Sequence, residues 1–184
     1  MRNLFFARTF FSLILLIYVS SVVNSLEMTT EIIGSKYLNS LGYLGQDKSI
    51  CIIDTGVDYT HQNLGDCSQF QFLSGTCQKV PTGFDFGDND SNPFPNRNHG
   101  IYVAGVASSD NSLHAGVSPS SKVITIKITN DAMTLSDIEV MTNVRKGIDW
   151  CVANATKYNI SAISISWIYS NSSSSNGCLD FGLM

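Results

Sequence analysis

Two alternating apolar segments, separated by one amphipathic helical segment, restrict the fold of this chain more than any other feature. Residues 122–128 (KVITIKI) alternate and predict a strand, and residues 163–167 (ISISW) predict another. Between them, Ser136 and Asp137 can cap a helix that carries apolar side chains on one face. A strand, a helix and a second strand at this spacing form a βαβ unit. The sequence therefore predicts an α/β fold with a mainly parallel sheet.

Further elements precede this unit. Residues 49–53 (SICII) are a compact apolar run that ends at Asp54, which is typical of a strand buried on both faces of a parallel sheet. Residues 30–41 predict a short helix, and residues 82–86 predict a strand within a long polar loop. The apolar segment at residues 101–107 fits a helix or a strand on its pattern alone.

The first 25 residues are typical of a secretory signal peptide. Arg2 and Arg8 form a positive region before an apolar stretch at residues 10–19, and the side chains that follow suit cleavage before Leu26. The alternative is an uncleaved membrane anchor, but the stretch is shorter than the roughly 20 residues that a bilayer span requires. We therefore expect residues 26–184 to be secreted to the extracellular space, without membrane contact after cleavage.

Five cysteines agree with an oxidising destination. Cys67 and Cys77 flank a short polar loop and are the natural local disulfide pair. Cys51 lies in an apolar run and can be a small buried side chain, so its pairing and that of Cys151 and Cys178 stay open. Glycosylation would fit the same route, because Asn-X-Ser/Thr sequons begin at Asn89, Asn154, Asn159 and Asn171.

Charge argues against nucleic acid as a partner. The net charge is −4, and the sequence has no basic stripe, RNA-binding aromatic motif or zinc-finger spacing. One acidic loop offers oxygen ligands of the kind that calcium prefers, at Asp85, Asp88, Asn89 and Asp90. The loop lacks EF-hand spacing, and such clusters are usually turn formers. We therefore expect no metal and no other cofactor, with calcium in this loop as the alternative.

Two residues stand where catalytic groups are commonly found. Asp54 follows a strand, and functional residues of open α/β sheets collect beyond the carboxyl ends of strands. His99 opens an apolar segment, and a carboxylate on one ring nitrogen would fix the tautomer of such a histidine. Each residue also has a structural alternative, as a turn former or as a surface histidine. We expect His61 and His114 to be surface or structural histidines of this kind.

Five segments in order, spanning roughly residues 32–167, resemble the subtilase family of serine proteases. The first carries Asp54 and resembles the V-I-D-T-G-V-D motif, and the second carries His99 and resembles the H-G-T-H-V-A-G motif. The others resemble the family's G-V-A-P turn, G-I-E-W helix and V-I-N-M-S strand. The segments are residues 52–58 with His61, residues 98–105, residues 115–119, residues 147–150 and residues 162–166.

The resemblance implies a subtilisin-like fold, with helices on both faces of the sheet, and a serine endopeptidase activity. Residues 26–184 would be the N-terminal portion of the catalytic domain. Asp54 would orient His99, which would act as general base and then as general acid. The backbone at Ser166, Trp167 and Ile168 would pair with an extended polypeptide substrate.

The sequence also departs from the family's pattern. No G-T-S-M-A segment supplies a nucleophilic serine, and the G-N segment of the oxyanion hole is missing. Ile101 and Tyr102 replace the usual Thr and His, and Ile168 replaces a Gly beside the substrate. Almost nothing separates the signal peptide from the mature-like start, so the usual propeptide is not expected. These 184 residues alone should be inactive, and the leading interpretation is a fragment of an active protease.

Two other functions are open to such a chain. A catalytically inactive, secreted subtilase-like domain could bind peptides or another protease. The Asp54-Thr-Gly sequence is also found in aspartic proteases, but that fold is nearly all β and the motif continues with Ser or Thr rather than Val57. The clear helix after Ser136 excludes this last interpretation.

Overall fold

The computed structural model describes residues 25–167, and these form an α/β fold around one four-stranded parallel sheet, as the sequence predicts. The strands are β1 (Ser49–Asp54), β2 (Thr82–Asp85), β3 (Lys122–Lys127) and β4 (Ile160–Ile165). The helices are α1 (Ser25–Ile32), α2 (Ser35–Ser40), α3 (Gln69–Leu73), α4 (His99–Ser108), α5 (Asp137–Ala153) and α6 (Ala155–Tyr158), and a 3₁₀ turn covers Gln62–Leu64.

The strands follow the order β2-β3-β1-β4, so β1 lies inside the sheet. It pairs in parallel with β3 on one side, where Asp54 lies opposite Lys127, and with β4 on the other. Because all four strands are parallel, their carboxyl ends meet at one edge of the sheet. Asp54 and Lys127 are therefore neighbours at that edge.

Helices cover both faces of the sheet. Cys51 and Ile53 of β1 belong to a core cluster that includes Val140 and Val144 of α5. Ile52 points to the opposite face and belongs to a second cluster with Ala104 of α4. This alternation is the two-residue period of a strand, applied to a strand that is buried on both sides. The predicted arrangement of helices on both faces is confirmed.

Helix α5 begins as the sequence predicts. The Ser136 side chain accepts a hydrogen bond from the Glu139 backbone N–H, and the Glu139 carboxylate accepts one from the Ser136 N–H, which completes a capping box. Gly147 lets the helix approach the sheet, because a Cβ there would lie 2.9 Å from a methyl group of Ile126. Within the described range, no helix combines the length and apolar character that crossing a bilayer requires.

Several element bounds differ from the expected ones. The helix predicted for residues 30–41 is interrupted at Gly34, whose φ of 76° belongs to the left-handed region, so two short helices form instead. The strand predicted for residues 163–167 is β4, which begins earlier, at Ile160, and ends at Ile165. It begins directly after Asn159, whose left-handed backbone conformation ends α6. The ambiguous segment at residues 101–107 is helical and belongs to α4.

Two disulfides cross-link the described residues. Cys67 and Cys77 are bonded, as their spacing predicts. Cys51 is bonded to Cys151, which joins the centre of β1 to the last turn of α5 across 100 residues of sequence. Cys51 and Cys151 are both fully buried. Cys178 and the predicted signal peptide lie outside the described residues, except for Ser25.

We expect the Cys51–Cys151 bond to stabilise the fold more than the Cys67–Cys77 bond does. Chain entropy assigns about 4.7 kcal/mol to a loop of about 100 residues and about 2.7 kcal/mol to a loop of about 10. Replacing Cys51 and Cys151 together by Ala should lower the free energy of unfolding by the larger amount, and the Cys67/Cys77 double variant is the matched control. Urea unfolding of both would measure this, and an equal or smaller loss for the Cys51/Cys151 pair would contradict it.

Candidate active site

Strand β1 ends in a buried carboxylate. Asp54 is 1% exposed, and its Oδ1 accepts a hydrogen bond of 2.7 Å from the Thr55 backbone N–H. The chain then turns at Gly56, where φ is 93° and an added Cβ would lie 2.5 Å from the Pro93 carbonyl oxygen. Glycine is required here both for its backbone conformation and for the space it leaves. The turn directs the chain away from the sheet and leaves the carboxylate at the sheet's edge.

Helix α4 begins next to this carboxylate. The Gly100 N–H donates to Thr55 Oγ1 at 3.1 Å, which satisfies one of the free N–H groups of the first helical turn. A Cβ on Gly100 would lie only 2.2 Å from the Gly56 carbonyl oxygen, so the two backbones pass each other at a distance that only glycine allows. This close approach brings His99, the first residue of α4, beside Asp54.

Asp54 and His99 form a hydrogen-bonded pair across 45 residues of sequence. The Nδ1 atom of His99 lies 2.9 Å from both carboxylate oxygens of Asp54. A carboxylate only accepts hydrogen bonds, so the proton of a neutral His99 resides on Nδ1. The lone pair is then on Nε2, and the side chain is 54% exposed, against 1% for Asp54. A buried carboxylate thus holds an accessible imidazole in the tautomer that can accept a proton.

Strand β4 places two of the predicted substrate-binding residues at the same edge of the sheet as this pair. Ser166 and Trp167 follow β4, which is the direct neighbour of β1 in the sheet. Ser166 is exposed, whereas Trp167 packs against the core cluster on the α5 face. Ile168 lies outside the described residues. The assignment of these three residues to substrate binding stays a prediction.

The acidic loop is organised around a buried lysine. Lys127 is 1% exposed, and its ammonium contacts Asp85 at 2.8 Å, Asp88 at 3.3 Å and also Asp131. Burial alone lowers the pKa of Lys127, but the hydrogen bonds and attraction of Asp131 and Asp85 outweigh it and hold this pKa above its ordinary value. The three carboxylates, whose oxygens lie within 4.8 Å of one another, therefore surround a protein cation.

The other histidines have different positions. His61 accepts a hydrogen bond from the Asn63 backbone N–H at 3.2 Å and caps the 3₁₀ turn. His114 is exposed in the loop after α4. Among the described residues, neither ring is hydrogen-bonded to a carboxylate, which agrees with the structural role that the sequence suggested for them.

Sequence reasoning missed Thr55 and Lys127. Thr55 joins both sides of the site, since its Oγ1 donates to the Arg97 carbonyl oxygen and accepts from the Gly100 N–H. Lys127 is the only charged residue inside the strand run VITIKI, and that isolation was the available signal. In an alternating strand such a lysine normally points to solvent, so its burial depends on carboxylates from other segments.

Comparison with known proteins adds a family relationship. Residues 45–178 match the model of the subtilase family. The chain is 38% identical over 102 residues to a thermophilic serine proteinase of Bacillus sp. strain AK1, covering 53% of this chain and 22% of that protein. It is 30% identical over 120 residues to a subtilisin of Bacillus pumilus, covering 64% of this chain and 37% of that protein.

Other relatives extend the comparison. A subtilisin-like protease 1 of Plasmodium berghei is 29% identical over 117 residues, covering 56% of this chain and 19% of that protein. The CspB protease of Clostridium perfringens has a similar solved structure, with a TM-score of 0.56 and 20% identity over 72% of this chain and 31% of that one. At that identity the likeness concerns the fold alone. The chain spans about a quarter of the length of the curated relatives it matches.

We expect Gly100→Ala to break the Asp54–His99 contact. Its methyl group would collide with the Gly56 carbonyl oxygen and push the start of α4 away from β1, which should lower the free energy of unfolding by about 1–3 kcal/mol. Gly105→Ala is the matched control, because it lies in the same helix and its Cβ would meet nothing within 4 Å. The His99 imidazole resonances in NMR spectra, with urea unfolding, would measure both effects. Equal behaviour of the two variants would contradict the argument.

Proposed function

The chain belongs to the subtilase family, and on that premise we propose that it is part of a secreted, subtilisin-like serine endopeptidase. The contact between His99 Nδ1 and the Asp54 carboxylate is the observation that carries the proposal. It lies between two motifs that match the family in order, and at the edge of the sheet where functional residues collect. Of the classes open to the sequence, only this one uses both residues.

His99 would move the proton in the reaction. Its Nε2 would take the proton of a serine hydroxyl as the oxygen attacks the scissile carbonyl carbon, and the imidazolium would then give that proton to the leaving amine. Asp54 would keep Nδ1 protonated and stabilise the imidazolium, because its carboxylate is buried and faces Nδ1 with both oxygens. A water molecule, deprotonated by His99 in the same way, would then attack the acyl-enzyme and release the second peptide product.

The serine itself would come from outside residues 25–167. Within that range, the His99 ring is hydrogen-bonded to Asp54 through Nδ1, and the His99 side chain is 54% exposed. The sequence contains no G-T-S-x-A segment. A longer product of the same gene would supply the serine, whereas a product without one would be a binding protein of the same fold.

We propose that the substrate is an extended polypeptide that runs beside Ser166 and Trp167. Ser166 and Trp167 follow β4 at the edge of the sheet where Asp54 ends β1, and backbone groups there would pair with a peptide by strand addition. We propose no cofactor for this reaction. Three of the acidic side chains near the site surround the Lys127 ammonium, which already supplies the positive charge that a calcium ion would bring.

Secretion is supported by three features. The N-terminal 25 residues have the pattern of a signal peptide, and two disulfides agree with an oxidising compartment. The sequons give a third, and their surroundings differ. The Asn154 amide donates to the Trp150 carbonyl oxygen, and the Asn159 amide donates to the Asp47 carbonyl oxygen. Asn89 is exposed in the turn that the Asp85–Asp90 bridge closes, so among the three sequons in the described residues we propose Asn89 as the glycosylated one; Asn171 lies outside those residues.

We expect the protein from a eukaryotic secretory host to begin at Leu26 and to carry an N-glycan on Asn89. Intact mass and peptide mapping, after enzymatic glycan release in ¹⁸O water, would locate both. Ser91→Ala is the control, because it removes the sequon and leaves Asn89 in place. Retention of residues 1–25, or a glycan on Asn154 with Asn89 unmodified, would contradict these assignments.

We expect Asp54→Ala and His99→Ala each to lower the peptidase rate of the full-length secreted protein by about 10⁴-fold or more, because members of a catalytic triad act as a unit. His114→Ala is the matched control, since this exposed histidine lies outside the pair. Hydrolysis of a chromogenic peptide and labelling of the nucleophile with a fluorophosphonate would measure the effect. Near-normal rates in both variants would overturn the proposal. If the unmutated secreted protein takes no label, the peptidase proposal fails and the binding function is favoured.

A further inference from the structure

Residues 93–98 lead into His99, and we call them the entry segment. On one side, this segment is hydrogen-bonded to the turn that follows β1. The Val57 N–H donates to the Pro93 carbonyl oxygen at 3.3 Å, and Thr55 Oγ1 donates to the Arg97 carbonyl oxygen at 3.3 Å. Both distances are at the long end for hydrogen bonds. Packing holds the start of the segment, since Pro93 is buried and the Phe94 ring lies edge-on to Tyr59 at 5.2 Å, and a further attachment lies closer to His99.

Asn96 supplies that attachment. Its side chain is exposed, yet Nδ2 donates to the carbonyl oxygens of Asn130 and Asp131, each at 2.9 Å. These acceptors lie 34 and 35 residues further along the chain, in the segment after β3. Both N–H groups of one amide are thus committed to joining the entry segment to residues 128–134, which we call the exit turn.

The exit turn is itself fixed to Asp54 and to the lysine cluster. The Ile128 N–H donates to the Asp54 carbonyl oxygen at 3.0 Å, and Asp131 contacts Lys127 through its side chain. The Asp131 N–H also donates to Asp88 Oδ2 at 2.8 Å. The carbonyl groups that accept from Asn96 are therefore fixed relative to Asp54, the hydrogen-bond partner of His99.

These contacts close a ring of interactions. It runs from the Asp54 backbone through Ile128 to the exit turn, from there through Asn96 to the entry segment, and through His99 back to the Asp54 carboxylate. His99 is more than half exposed, so packing does little to hold its ring. Its position depends on the backbone that precedes it.

We propose that Asn96 is a positioning residue, which holds the entry segment so that the His99 imidazole stays aligned with Asp54. The inference deepens the proposed peptidase function and rests on it for its catalytic meaning. A misplacement of a catalytic group by about 1 Å reduces an enzymatic rate by about 100-fold, which is the scale of effect that such a residue controls. Asn96 does not contact His99, and it acts through the backbone.

The experiment compares Asn96→Ala with Asn98→Ala in the full secreted protein. Asn98 is the matched control, because it lies in the same segment next to His99, is exposed, and makes no side-chain cap to α4. NMR would measure the exchange of the His99 Nδ1 proton with water and the pH titration of the ring. Urea unfolding would establish that each variant is folded. Asn96→Asp, which keeps the size of the side chain but lacks the donors, is the second variant.

We expect proton exchange at His99 Nδ1 to be about tenfold faster in Asn96→Ala and Asn96→Asp, and unchanged in Asn98→Ala, because two hydrogen bonds are lost only in the first two. In the active protease, kcat should fall about 10- to 100-fold with KM unchanged. Unaltered exchange and titration in both Asn96 variants, or an equal change in Asn98→Ala, would overturn the proposal. Because the NMR signal needs no peptide cleavage, it separates this outcome from failure of the peptidase assignment.

Discussion

The parallel pairing of β1 with strands on both sides is the interaction on which the rest of the described structure depends. Its backbone is bonded to β3 and to β4, and its side chains enter both core clusters. Such a strand has no solvated face, and its residues 50–53 are apolar. Asp54 is the point where it leaves the sheet. The buried carboxylate is therefore a consequence of the position of β1 in the sheet.

A second constraint is the close passage of two glycines. Gly56 and Gly100 let the turn after β1 and the start of α4 share space that side chains would occupy elsewhere. Thr55 lies in that turn and is hydrogen-bonded to Arg97 and Gly100 on the other side, so hydrogen bonds stabilise the close approach that the glycines allow. The chemistry of His99 depends on this backbone geometry, because an imidazole that is largely exposed receives its orientation from its own main chain and from Asp54.

Much of this could be predicted from the sequence, and the reason for each failure is physical. The strand ending at Asp54, the capping of α5 and the Cys67–Cys77 bond depend on neighbouring residues, so local patterns were sufficient. Asp54 and His99 lie 45 residues apart, and only the family resemblance indicated that they would meet. The partner of Cys51 and the burial of Lys127 depend on where other elements pack. The carboxylates that hold Lys127 come from two separate segments, the acidic loop with Asp85 and Asp88 and the exit turn with Asp131, and no local pattern joins the two.

The burial of the Cys51–Cys151 bond has a consequence for the order of events in biosynthesis. Neither residue is accessible in the folded protein, so an oxidoreductase can reach the two thiols only before α5 closes over the sheet. Residue 151 emerges from the ribosome long after Cys51, and the first thiol must stay unpaired through that interval while Cys67 and Cys77 pass. Once formed, the bond is shielded from thiols in solution until the helix detaches. The protein is thus oxidised early or not at all, and afterwards it resists reduction wherever it is delivered.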